Sequence, residues 1–178
     1  MEPLLRSINN PGVKAFVDRL LRIPFTAIHQ LMRLRNRIFR PRTFGAHALA
    51  LTFDRKAVFV KLRYAPGWRL PGGGLRAAEE PSDAVLRELR EEIGMTSHGI
   101  VRLAAELGEN TDFKRDVASL FIVEDVAYNP PRWSLEIEKI IEAPLDALPA
   151  GLSPRTVRWL NAMGNRISTS KTMDRTAN

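Results

Sequence analysis

The sequence predicts an α/β domain with a mixed β-sheet, preceded by a basic amphipathic helical extension. Strand-like segments alternate with segments of helical period along most of the chain, which is the pattern of α/β proteins. The chain has 178 residues, of which 44% are hydrophobic, and this suffices for one domain with a buried core and an appendage. Its net charge of +7 resides in residues 1–45, which hold nine basic and two acidic side chains, whereas 18 of each sign balance in the remainder.

The composition excludes several classes of protein. Because the chain contains no cysteine, it has no disulfide, thiolate metal site or thiol nucleophile. No apolar run reaches the roughly 18 residues that a transmembrane helix requires. The three histidines are scattered, which disfavours a zinc site. We therefore divide the chain into an extension over residues 1–40, a domain over residues 41–165 and a polar tail over residues 166–178.

The extension is predicted to form two amphipathic helices. Apolar residues recur at helical spacing from Val13 to Leu21 and again from Ala27 to Ile38, where arginines surround the stripe. Three roles are open for residues 1–45: packing on the domain or on a second subunit of a homodimer, peripheral contact with an anionic membrane, and nucleic-acid binding. Nucleic-acid binding is disfavoured because few aromatic residues interleave with the basic ones. We expect a cytoplasmic location, because no secretory signal is recognisable.

The first half of the domain is predicted to contain two strands, a loop and a helix. Alternating apolar residues predict strands at residues 46–53 and 57–62. A glycine-dense loop follows over residues 67–74. The next segment is a helix from Pro81 to Ile93, because proline suits its first turn and Gly94 suits the left-handed position after its last turn.

Three further strands and a second helix are predicted to complete the domain. The strands are expected at residues 100–107, at residues 117–126 and around residues 135–141. The last helix is predicted over residues 155–163, with Ser153 as its N-cap and the following proline at its first position. The polar residues 168–178 are expected to fray.

The helix over residues 81–93 carries an unusual group of acids. Glu88, Glu91 and Glu92 stand at i, i+3 and i+4, so their side chains project from one side of the helix. Like charges at this spacing cost about 0.2–0.5 kcal/mol per pair, and they lie near the negative end of the helix dipole. A charged surface is the ordinary explanation of such a group. A bound divalent cation is the alternative, and an all-carboxylate donor set favours a hard ion, Mg²⁺ or Mn²⁺.

The segment from Gly73 to Met95 resembles the signature of the Nudix hydrolase family. The signature reads G, five residues, E, seven residues, R-E, an aliphatic residue, any residue, E-E, any residue, G and an aliphatic residue. Every specified position is filled here, by Gly73, Glu79, Arg87, Glu88, Leu89, Glu91, Glu92, Gly94 and Met95. The resemblance implies an α/β/α sandwich with a loop–helix–loop box, and an enzyme that hydrolyses a nucleoside diphosphate linked to another group with Mg²⁺ or Mn²⁺.

The resemblance also implies which acids carry the chemistry. Glu88 and Glu92 would be the main metal ligands, and Glu91 would be a further ligand or the general base. In many members of the family the base lies outside the box, and Glu136 or Glu138 could supply it here. Both of these glutamates can equally be surface residues of a strand.

Other residues of the box would act through structure. Glu79 and Arg87 would brace the loop against the helix through an ion pair, according to the resemblance. Gly73 and Gly94 would serve the conformation of the backbone.

The sequence defines the substrate less clearly than it defines the acids that carry the chemistry. Four residues precede the glycine loop and are expected to line its mouth: Arg63, Tyr64, Trp68 and Arg69. Of these, Arg63, Trp68 and Arg69 are candidates to contact a phosphate or a base. Trp68 is equally compatible with packing in the core. The alternatives to a nucleoside-diphosphate hydrolase are a nucleoside triphosphate pyrophosphohydrolase of the sanitising type and a non-catalytic nucleotide-binding or membrane-associated Nudix module.

Overall fold

The computed structural model describes the protein over residues 42–111 and 114–173. The two helices predicted in the extension lie outside these ranges, as do the last residues of the predicted tail. Neither helix in the described part of the chain is long and apolar enough to cross a membrane.

Nine strands and two helices make up the described part of the chain. The helices are α1 (Pro81–Ile93) and α2 (Pro154–Met173). The strands are β1 (Arg42–Ala50), β2 (Lys56–Leu62), β3 (Trp68–Arg69), β4 (Gly72–Gly74), β5 (Met95–Ser97), β6 (Val101–Thr111), β7 (Lys114–Val123), β8 (Ala127–Tyr128) and β9 (Ile137–Pro144).

The largest sheet is mixed, as the sequence predicts. Its strand order is β4-β1-β7-β6, in which β1 runs parallel to β7 and the other pairs are antiparallel. A second sheet has the order β3-β2-β9, and β5 pairs with β8. The parallel pair joins residues distant in sequence, with Ala46 opposite Ser119 and Ala50 opposite Val123.

The two helices cover opposite faces of the sheets. On β1, Ala46, Ala48 and Ala50 pack in one buried cluster with Val85 and Leu89 of α1. The intervening Leu49 packs in a second cluster with Trp159, Leu160 and Met163 of α2. Because successive side chains of a strand point to opposite faces, this alternation builds two core layers around the strands. The α/β/α sandwich implied by the family resemblance is thereby confirmed.

The ends of α1 follow local signals. Pro81 occupies its first turn, and Gly94 caps its end in the left-handed region with φ of 71°. The N–H of Gly94 returns to the carbonyl oxygens of the last turn. A side chain at this position would collide with the backbone, since a Cβ would lie 2.0 Å from the carbonyl oxygen of Asn129. Glycine is required here by both conformation and space.

The strands β1, β6, β7 and β9 and the helix α2 differ in extent from the prediction. The first strand begins at Arg42, because its main chain continues the ladder with β7 beyond the apolar alternation. The last helix continues past Met163 to Met173, so its predicted end was wrong. Gly164 marks the usual position of a helix cap in the sequence, but it lies inside α2.

Candidate active site

The acids of α1 are distributed between the core and the surface. Glu92 is only 8% exposed, because it lies on the side of the helix that faces the sheet. Its Oε2 accepts a hydrogen bond of 2.8 Å from the backbone N–H of Gly72, which belongs to the glycine-rich strand β4. The helix and the glycine strand are thus joined at the buried carboxylate.

Glu88 occupies space that the glycine strand leaves free. A Cβ at position 73 would lie 2.7 Å from the carboxyl carbon of Glu88, closer than atoms of this kind approach. The absence of a side chain at Gly73 therefore allows the Glu88 carboxylate to rest against the backbone of β4. On its other side, this carboxylate accepts a hydrogen bond of 2.6 Å from Arg87.

Arg87 connects the helix to the loop that precedes it. Its guanidinium donates two hydrogen bonds to Glu79, of 2.7 and 2.9 Å, and a third of 3.0 Å to the carbonyl oxygen of Gly74. The backbone N–H of Arg76 also donates to Glu79, at 2.8 Å. The ion pair expected between Glu79 and Arg87 is thus present, and it holds both ends of the loop against α1.

Glu91 lies at the surface, where arginines hold it. Its side chain is 51% exposed and accepts hydrogen bonds from Arg76 at 3.0 Å and from Arg87 at 3.3 Å. Within residues 42–111 and 114–173, no three carboxylate or imidazole side chains are arranged to hold a metal ion as they stand. Arginines instead contact one oxygen of Glu88 and both oxygens of Glu91.

Negative charge is nonetheless crowded around Glu92. Burial and, to a smaller extent, the charges of Glu136, Glu88 and Glu91 together raise the pKa of its carboxyl group to about 8, against the opposing hydrogen bond from Gly72. In the absence of a cation, this environment favours the neutral form of Glu92. A divalent cation would relieve this repulsion, and the carboxylate donors match a hard ion in chemistry.

A cavity of about 470 Å³ opens beside Glu92. Glu136, in the loop before β9, faces the same cavity and accepts a hydrogen bond from the hydroxyl of Tyr64. Of the two glutamates proposed outside the box, Glu136 is the one whose charge acts on the pKa of Glu92. Glu138 instead pairs with Lys61 at 3.6 Å and lines a smaller cavity of about 210 Å³, which also reaches Glu92.

The three residues expected to contact substrate have different environments. Arg69 lines the main cavity. Arg63 is buried and donates to the carbonyl oxygen of Ser134, so it shapes the loop that carries Glu136. Trp68 packs against the α2 core, which agrees with a packing role.

Three further residues at the cavity did not emerge from the sequence as site residues. His47 lies on β1, and Arg155 and Trp159 lie on α2, far from the box along the chain. The rings of His47 and Trp159 are 4.3 Å apart between centroids, and the Arg155 guanidinium lies 5.5 Å from the centre of the Trp159 ring. The N-cap Ser153 fixes the first turn of α2, since its Oγ accepts from the N–H of Thr156. Because this cap fixes where the helix begins, it was the sequence signal that could have located Arg155 in the first turn of α2.

Curated relatives match parts of the chain. An RNA pyrophosphohydrolase of Acidiphilium cryptum is 48% identical over 56 residues, which cover 30% of this chain and 32% of that protein. A diphosphoinositol polyphosphate phosphohydrolase 3-beta of Bos taurus is 34% identical over 83 residues, covering 44% of this chain and 50% of that protein. The match thus spans half or less of the length of these relatives.

The fold and the family are shown over a larger part of the chain. The crystal structure of a MutT NUDIX hydrolase from Burkholderia pseudomallei superposes with a TM-score of 0.59 at 25% sequence identity, covering 68% of this chain and 97% of that one. The NUDIX domain matches residues 42–162, which contain all the acids and arginines of the site described above. The chain therefore belongs to the Nudix hydrolase family.

Proposed function

We propose that this protein is a metal-dependent hydrolase that cleaves a phosphoanhydride bond in a nucleoside diphosphate linked to a second group. The observation that carries the proposal is the buried Glu92, which lies beside Glu88 and shares a cavity with Glu136 and Arg69. Acids that can hold cations and a carboxylate that can act on a water molecule then face one space. A diphosphate needs both, because it is a polyanion that water must approach.

Glu88 and Glu92 would hold Mg²⁺ or Mn²⁺, with Glu91 as a further ligand. When bound, the metal supplies charge neutralisation at the phosphates and lowers the pKa of a coordinated water. Glu92 would hold the cation as an ionised carboxylate, and Glu88 would exchange its contact with Arg87 for the cation. Arg87 keeps its two hydrogen bonds to Glu79 in that exchange, so the loop stays fixed.

Glu136 is proposed as the general base. Its carboxylate lies on the cavity wall, outside α1, and the charge of Glu136 is the largest of the neighbouring charges that raise the pKa of Glu92. The Tyr64 hydroxyl orients the carboxylate by donating to it. A carboxylate in this position can take the proton from an attacking water. Glu91 is a weaker candidate because arginines hold its oxygens at the surface.

The alternatives from the sequence analysis differ in the product that they predict. A nucleoside triphosphate pyrophosphohydrolase would release pyrophosphate, whereas a non-catalytic module would bind a nucleotide without turnover. The named relatives include an RNA pyrophosphohydrolase, and this supports hydrolysis of a phosphoanhydride. A cytoplasmic location, peripheral membrane contact and a homodimer remain predictions of the sequence.

The proposal is tested by single substitutions on α1 and in the loop before β9. Glu91→Gln and Glu92→Gln are expected to lower kcat by at least tenfold with the protein still folded, and Glu136→Gln by about 10²–10⁴-fold if it removes the base. Turnover is measured on a panel of nucleoside diphosphate derivatives with Mg²⁺ or Mn²⁺, scored by product and phosphate release. Asp83→Asn, which changes an exposed acid in the first turn of the same helix, serves as the control. Near-normal turnover in both box variants would reject the assignment.

A further inference from the structure

The main cavity has a basic part that the hydrolytic chemistry does not use. Arg69 enters it from β3 and Arg155 from the first turn of α2, whereas Glu92 and Glu136 enter from α1 and from the loop before β9. We call the two arginines together the basic subsite. Tyr64 interacts with both the acidic and the basic part of the cavity. Its hydroxyl donates a hydrogen bond to Glu136, and the charge of Arg69 acts on its pKa.

The guanidinium of Arg69 is incompletely satisfied. Its Nε is buried from solvent and has no hydrogen-bond partner among the described residues. Arg69 and Arg155 line the same partly desolvated cavity, where burial and, after it, the charge of Arg155 lower the pKa of Arg69. Two like charges in such a space repel, and an anion between them would remove the repulsion and supply an acceptor for Nε.

The two aromatic rings packed together beside Arg155, those of His47 and Trp159, do not offer a face for a nucleobase. Trp159 is only 3% exposed, and its ring packs against His47 and Arg155. Burial and the charges of the two arginines lower the pKa of His47 to about 3, so its imidazole is neutral near pH 7. The role that remains for Trp159 is to hold Arg155 in the wall of the cavity, and the chemistry presented there is that of guanidinium groups.

We propose that Arg69 and Arg155 form a subsite for a phosphate group that the substrate carries in addition to the diphosphate that is cleaved. The inference rests on the proposed function, since the diphosphate is placed at the acids and the additional phosphate at the arginines. It narrows the substrate to compounds with at least three phosphate groups. Guanidinium forks bind phosphate oxygens bidentately, which suits this task better than a lysine would.

The first experiment measures binding without turnover. Isothermal titration calorimetry with inorganic tripolyphosphate is carried out in EDTA on the full chain, the double variant Arg69→Gln/Arg155→Gln, and Arg158→Gln. Without a metal ion the carboxylates repel tripolyphosphate, so its affinity measures binding at cationic sites. The basic extension is unchanged in all three proteins, so it does not account for a difference between them. Arg158 is an exposed residue of the same helix, outside the cavity lining, and its substitution removes the same charge.

The double variant is expected to bind tripolyphosphate at least tenfold more weakly, with the Arg158→Gln variant near the wild type. Equal affinity in the double variant, or no binding by the wild type, would overturn the subsite. Arg69→Lys and Arg155→Lys keep the charge and guard against loss of folding, and each is expected to retain part of the affinity.

The second experiment identifies the position of the additional phosphate. Two matched pairs are compared by kcat/KM with Mg²⁺: NADPH with NADH, which differ by a phosphate on a ribose, and diadenosine tetraphosphate with diadenosine diphosphate, which differ in chain length. In one of the pairs, the wild type is expected to have a kcat/KM at least tenfold higher for the compound with more phosphate groups. The double variant is expected to lose that preference. If both pairs are hydrolysed without a tenfold preference for the member with more phosphate groups in either pair, the inference is contradicted. If neither pair is hydrolysed, the proposed function is in question while the calorimetry still decides on the subsite.

Discussion

At the scale of single residues, the contact between Gly73 and Glu88 shows why the box needs a glycine at this position. The reason is the space that Glu88 occupies, and not the conformation of the backbone. A Cβ at position 73 would lie 2.7 Å from the Glu88 carboxyl carbon. Because the clash is with the end of a flexible side chain, Gly73→Ala should fold, but Glu88 would have to leave its place. We expect Mn²⁺ affinity and kcat/KM to fall by at least tenfold, measured by titration and turnover.

The matched control for Gly73→Ala is Gly108→Ala. Gly108 also lies in a strand, and a Cβ there would have no neighbour within 4 Å. Activity of this variant should stay near the wild type. If both variants lose activity equally, the effect of Gly73→Ala comes from the strand backbone rather than from displacement of Glu88.

A second residue-scale prediction concerns acid sensitivity. The pKa of His47 is lowered from 6.5 to about 3 in the folded protein, chiefly by burial. Between pH 6.5 and 3, His47 is therefore protonated in the unfolded chain but neutral in the folded protein. The stability due to neutral His47 is present above pH 6.5 and is lost as the pH falls toward 3. His47→Phe, which keeps a ring against Trp159, should flatten this part of the pH dependence of the free energy of unfolding.

Chemical denaturation at a series of pH values measures the effect of His47→Phe. Because both proteins keep every other titrating group, the difference between their curves isolates the contribution of His47. Parallel curves for the two proteins between pH 6.5 and 3 would mean that burial does not hold the imidazole neutral.

At the scale of elements, the loop and α1 act as one unit that Arg87 and Glu79 hold together. Hydrogen bonds from Arg87, and then one from the Arg76 backbone, lower the pKa of Glu79 from 4.5 to about 2. The stabilisation by the Glu79 carboxylate is therefore present above pH 4.5 and is lost as the pH falls toward 2. Glu79→Gln should lower Tm at pH 7, and the difference from the wild type should shrink across this range.

Glu80→Gln is the neighbouring control for the loop. Glu80 is exposed, and its side chain makes no capping hydrogen bond to α1. Thermal unfolding followed by circular dichroism should show little change in this variant. An equal decrease in Tm for both substitutions at pH 7 would contradict a specific role for the pair.

The two helices show how far local signals predict an element. The bounds of α1 are predictable because Pro81 and Gly94 mark its ends within the segment itself. The start of α2 is equally predictable from Ser153, whose Oγ accepts from the N–H of Thr156. Its end is not predictable in this way, because Gly164 resembles a cap but lies within the helix.

At the scale of the whole molecule, the charge is divided between two parts. The net charge of +7 belongs to residues 1–45, and the remaining residues are neutral overall. If the extension serves membrane contact, the full chain should sediment with liposomes that contain anionic lipid, and a chain without residues 1–40 should not. Neutral liposomes are the control, and hydrolysis by the shortened chain should be unchanged. Absence of binding by the full chain would end the membrane hypothesis.

The sequence by itself determined the features that depend on neighbouring residues. The spacing of Glu88, Glu91 and Glu92 follows from the helical period, and the complete signature around them identified the family that the comparison with the NUDIX domain shows. Helix caps and alternating strands belong to the same class of signal, because each is decided within a few residues of the chain.

Only the tertiary structure decided which distant residues face the cavity. Tyr64 and Glu136 are 72 positions apart and meet because β2 pairs with β9. Arg69 and Arg155 share a wall because the first turn of α2 packs beside β3. The physical reason is that strand order and register bring such residues together, and these depend on the packing of the whole core rather than on any short segment.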